Sequence, residues 1–94
     1  MIVRIMGEGQ LDLSDADLDV LNRFDAALET AISSGDEAAF RQALHDLLER
    51  VRADGAPVPS DSLEPSAFIL PHAEATMAEV EEMLGDEGLI PGPA

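Results

Sequence analysis

The chain has 94 residues, 20 acidic and 5 basic, with a formal charge of −15 and no cysteine, tryptophan or tyrosine. That length fits one domain with a single modest core, and 46% hydrophobic residues supply enough apolar material to fold in spite of the charge. Lack of cysteine excludes a disulfide framework and a thiolate zinc site, and the charge disfavours nucleic acid and anionic lipid, both of which require a cationic patch.

The opening reads as a β-hairpin, with Ile2 to Met6 and Gln10 to Leu13 flanking the Gly7-Glu8-Gly9 turn. Leu11 and Leu13 alternate with Gln10 and Asp12, the pattern of a half-buried strand. Ser14 is placed to cap a helix, and Asp15 and Asp17 complement the positive end of its dipole. Leu18, Leu21, Phe24, Leu28, Ala31 and Ile32 then recur at steps of three and four until Gly35, the expected left-handed cap. Asp36 caps a second helix with Phe40, Ala43, Leu44, Leu47, Leu48 and Val51 on one stripe, and so short a link predicts antiparallel packing. Asp19 with Arg23, Glu37 with Arg41 and Asp46 with Arg50 have the spacing of ion pairs one helical turn apart, matching most of the arginines locally.

Ala56 to Pro65, with three prolines, reads as a crossing loop. Ala67-Phe68-Ile69-Leu70, stopped by Pro71, has the length of a third strand. Thr76 and Glu79 form a capping-box signature that opens a helix to about Leu84, and residues 85–94 read as an irregular tail. The expectation is one α+β domain over residues 1–94, in which an N-terminal hairpin, a two-helix hairpin, a short third strand and a C-terminal helix pack together. The first six residues are too short for a signal sequence and no apolar run approaches a membrane span, so a cytoplasmic protein is expected.

Motifs of known chemistry fail on particular residues. Asp15, Asp17 and Asp19 have the spacing that opens a calcium loop, but Val20 stands where the sharp turn needs glycine and Ala26 where a bidentate glutamate belongs. Gly7-Glu8-Gly9 is half a dinucleotide fingerprint, followed by a strand instead of a helix. His45 and His72, the only imidazoles, have no second histidine or cysteine at ligand spacing, so a transition-metal site would need carboxylates brought together by the fold. The acids around Glu79, Glu81 and Glu82 fall on an expected solvent face, without the burial that acid–base work requires. Neither catalysis, a cofactor nor a metal is expected.

An interaction surface remains. Residues 57–94 carry eight acids and no arginine, a net charge of −8. Met77, Val80, Met83 and Leu84 belong either to the core or, with Leu89 and Ile90, to an apolar seam rimmed by Glu79, Glu81, Glu82, Asp86 and Glu87. An acidic rim of this kind selects a basic partner and speeds encounter. The candidate partner-binding residues are therefore Met77, Val80, Glu81, Met83, Leu84, Asp86, Glu87, Leu89 and Ile90.

Three stretches carry a family resemblance: Met1-Ile2-Val3-Arg4-Ile5-Met6-Gly7-Glu8-Gly9-Gln10, Gly35-Asp36-Glu37-Ala38-Ala39-Phe40 and Leu84-Gly85-Asp86-Glu87-Gly88-Leu89-Ile90-Pro91-Gly92. Together they resemble the PspA-associated protein family, PspAA, small acidic proteins that accompany the phage shock protein PspA. The resemblance implies a non-catalytic adaptor or regulator in the envelope stress response, binding PspA or another phage-shock protein and recruited through it to the inner face of the membrane. The alternative is a structural domain that self-associates through its hairpin edge.

Overall fold

The computed structural model describes residues 1–59 and 65–84, the side chain of Leu84 excepted. Strands β1 (Ile2–Ile5) and β2 (Gly9–Asp12) form the expected antiparallel hairpin, in register from Ile2 opposite Asp12 to Ile5 opposite Gly9. The turn needs its glycines: Gly7 and Gly9 have φ of 85° and 105°, a region closed to most side chains. Val3 and Ile5 are fully buried, while Arg4 between them faces solvent, so one face of the sheet meets the core.

Ser14 accepts a hydrogen bond from the Ala16 N–H and caps a single 3₁₀ turn, Asp15–Asp17, which feeds directly into helix α1 (Leu18–Ser34). Helix α1 buries Leu21, Leu28 and Ala31, with Leu18, Phe24 and Ile32 half-buried beside them. Gly35, at φ 69°, ends it by donating to the carbonyls of Ala31 and Ile32. The Asp36 carboxylate then accepts from the Ala39 N–H at 3.1 Å and starts helix α2 (Glu37–Asp54). The six residues α2 buries are the six of the expected stripe, Phe40, Ala43, Leu44, Leu47, Leu48 and Val51.

The crossing loop holds an element that composition hides. Strand β3, only Ala56–Pro57, pairs antiparallel with β2, and the Val58 N–H continues the ladder to the Gln10 carbonyl. The short apolar run forms β4 (Phe68–Leu70) and pairs in parallel with β1, Val3 opposite Phe68 and Ile5 opposite Leu70. The sheet order is therefore β3-β2-β1-β4. Both edges of the hairpin are taken, β2 by β3 and β1 by β4. Helix α3 (Met77–Leu84) follows, with Val80 and Ala75 buried in the same core as α1, α2 and the inner face of the sheet.

Among the described residues the expected ion pairs do not form. Asp46 accepts from Gln42 instead, Arg50 turns forward to Asp54 at 2.6 Å, and Arg41 lies over the Phe40 ring, 5.0 Å from its centroid. Exposed pairs of this type are worth only about 0.2–0.5 kcal/mol, so equally accessible alternatives displace them.

A candidate docking groove between β4 and α3

Phe68 and Leu70 point into the core, and the alternation of a strand therefore turns Ile69, between them, outward. It is 47% exposed; Met6, at the end of β1, is 46% exposed. These are the large hydrophobic side chains that the fold leaves in solvent among the described residues, and both line one groove of about 710 Å³.

The floor and walls of the groove show its direction. One wall is the consecutive run Ser66, Ala67, Phe68 and Ile69. Phe68 and Ile69 of β4 point to opposite faces of the sheet, so a groove that touches both lies at the strand's edge, with Ser66 and Ala67 leading into it. The opposite wall is Ala75, Glu79, Glu82 and Met83, whose spacing of three and four marks one stripe of α3 and the turn leading into it. His72 and Pro71 close one end. Groups of three or more His, Cys, Asp or Glu side chains able to hold a metal are absent among the described residues.

Glu79 is fixed by the reciprocal capping box the spacing predicts: the Thr76 N–H donates to its carboxylate and its own N–H donates to the Thr76 hydroxyl, each at 3.1 Å. The bond from the Thr76 backbone, then that of its side chain and the nearby His72 together hold the Glu79 carboxyl below its ordinary value. The wall of α3 therefore keeps its negative charge across the neutral range. No arginine lines this groove.

The sequence-predicted partner residues divide sharply. Val80 is fully buried and is corrected from partner surface to core, because it sits within the cluster that α3 shares with the rest of the domain. Met77 and Met83 are half-buried against the core, and Met83 also lines the groove. Glu81 is exposed and outside the lining. Leu84 ends α3. Asp86, Glu87, Leu89 and Ile90, with the rest of the 85–94 tail, lie outside the described residues. Sequence reasoning missed Met6 and Ile69; the available signal was the four-residue apolar run itself, since a strand with one face in the core must turn alternate members outward.

Among the described residues no helix is long and apolar enough to cross a membrane. A family model described as PspA-associated protein matches residues 1–92 of the chain. No curated protein and no solved structure matches it.

Proposed function

The chain belongs to the PspA-associated protein family, and from that membership we propose a non-catalytic adaptor or regulator that binds PspA-type membrane-stress proteins in the phage shock response. The match over residues 1–92 carries the reading, because it spans every element of the fold and both walls of the groove. The docking surface is the C-terminal part, Met77 to Ile90, less the buried Val80: Met83 and the α3 acids contribute from the helix and Leu89 and Ile90 are its apolar anchors. A net charge of −15 suits a basic patch on the partner and opposes direct attachment to anionic lipid, so the chain reaches the inner face of the membrane through PspA.

Self-association through the hairpin lacks a free edge, and two chains of this charge repel. The test is retention of purified PspA on the immobilised chain at ~0.15 M salt, with association slowed as ionic strength rises because long-range attraction is what salt screens. Leu89→Ser with Ile90→Ser is expected to weaken retention and leave the unfolding midpoint nearly unchanged. Absence of retention at low and moderate salt overturns the proposal.

A further inference from the structure

We propose that the groove between β4 and α3 takes an extended segment of the protein partner, in which apolar residues alternate with arginine or lysine, added as a fifth strand along β4. This deepens the adaptor reading and rests on it for the identity of the protein that carries the segment.

The two ends of the sheet are built differently. At one end β3 carries Pro57, which has no N–H and blunts that edge against further pairing. At the other end β4 is paired only on its β1 side among the described residues, from the Ala67 N–H on the Ile2 carbonyl to the Met6 N–H on the Leu70 carbonyl. Its outer edge borders the groove at Phe68 and Ile69, with Ser66 and Ala67 leading into the strand. A strand edge facing a helix stripe across a cleft is the geometry of strand addition, in which main-chain hydrogen bonds hold the guest and alternate side chains are read by the walls. The three residues of β4, at about 3.3 Å each, offer a short extended guest a ladder of roughly 10 Å.

The walls also state what the alternate side chains must be. Phe68, Ala75, Met83 and the exposed Ile69 offer apolar contact, and Glu79 and Glu82 offer two carboxylates with no arginine to neutralise them. A basic guest is complementary. A second copy of this chain is not, since it carries 20 acids against 5 arginines.

The experiment titrates the full chain with an acetylated, amidated hexapeptide of alternating arginine and valine, followed by backbone amide NMR. Binding is expected to shift the amides of Ala67 to Leu70 and of Ala75 to Met83. Two N-methylated versions, blocked on every arginine or on every valine, separate a ladder from mere contact, because only alternate amides of a guest face β4. One of the two is expected to lose at least ~tenfold in affinity, a full hydrogen-bond row being worth that much or more, and the other to bind nearly as the parent. Glu79→Gln with Glu82→Gln keeps the capping acceptor and is expected to weaken the parent peptide at least ~fivefold at ~0.15 M salt. Equal affinity of the two methylated peptides, shifts outside the groove, undiminished binding by the glutamine variant, or concentration-dependent dimerisation through these amides each overturns the proposal. If PspA is retained and the peptide does not compete with it, the groove assignment fails and the adaptor reading stands; if the peptide binds in the groove and PspA is not retained, the adaptor reading fails instead.

Discussion

Arg52, near the end of α2, holds Glu8 in the hairpin turn by two parallel hydrogen bonds, Nε to Oε1 at 2.8 Å and Nη2 to Oε2 at 2.5 Å. A third bond, Nη1 to Glu49 at 2.8 Å, orients the guanidinium from its own helix. The bond from Arg52 is what holds the Glu8 carboxyl below its ordinary value, against a smaller opposing effect of burial. Both side chains are about one-third exposed, 33% and 39%, so solvent screening limits the pair to about 1 kcal/mol or less. A carboxyl depressed on folding stabilises above its unfolded value and loses that contribution as pH falls through the folded one. Glu8→Gln is therefore expected to lower the unfolding midpoint by a few degrees at neutral pH, with the gap closing below about pH 4. A gap that persists unchanged to pH 3 would show that the pair contributes no linkage.

Leu44 and Leu47 lie at the centre of the α2 stripe with 1% and 0% exposure. Either Leu→Ala change removes several methylene contacts and leaves a hole the close-packed core refills only in part. The expected cost is about 2–5 kcal/mol, a large share of the ~5–15 kcal/mol available to a domain. Denaturant titration checks it; midpoints close to that of the parent would place this stripe outside the core.

Gly55 has an ordinary φ of −85°, yet a methyl group there would stand 2.8 Å from both the Leu11 Cβ and the Val51 carbonyl oxygen. Neither neighbour is the free end of a flexible side chain. Gly55→Ala should thus separate the end of α2 from β2, at a cost of about 1–3 kcal/mol, the range for overpacking. A variant as stable as the parent would mean that this junction yields without loss.

Arg4, Arg23 and Arg41 make no ion pair among the described residues, so the expectation of weak phosphate binding rests on net charge and not on local matching. They sit on three different elements, and the net charge of −15 surrounds them. Neither duplex DNA nor anionic vesicles should bind at micromolar protein and ~0.15 M salt. Anisotropy and co-sedimentation measure this directly, and binding in either would refute the charge argument.

Legibility in the sequence tracked how local each feature is. The caps at Asp36 and Thr76, the left-handed Gly35 and the six-residue stripe of α2 are decided within one or two helical turns, and all were readable. Strand β3 was not, because two residues carry no periodicity and Pro57 argues for a loop anywhere but at a sheet edge. The ion pairs failed for the opposite reason: their spacing was legible, but their energies are too small to choose among neighbours. The groove was half-legible. Its acids and Met83 lie on one predicted helix, whereas the meeting of Met6 with Ile69 depends on a parallel pairing between segments far apart in the chain.

That pairing bears on the order in which the molecule assembles. The β1–β2 hairpin and the α1–α2 hairpin close over a handful of residues, but joining Val3 to Phe68 closes a loop that contains both of them. Contacts of such long span are formed late, after the local ones have reduced the entropy they must overcome. The groove is therefore expected to form late in folding, and hydrogen exchange at Phe68 to Leu70 measures how readily its edge opens. A guest strand that binds only the closed form would slow hydrogen exchange at Phe68 to Leu70 well before it altered the two long helices, so occupancy of the site could be read from the lifetime of β4 alone.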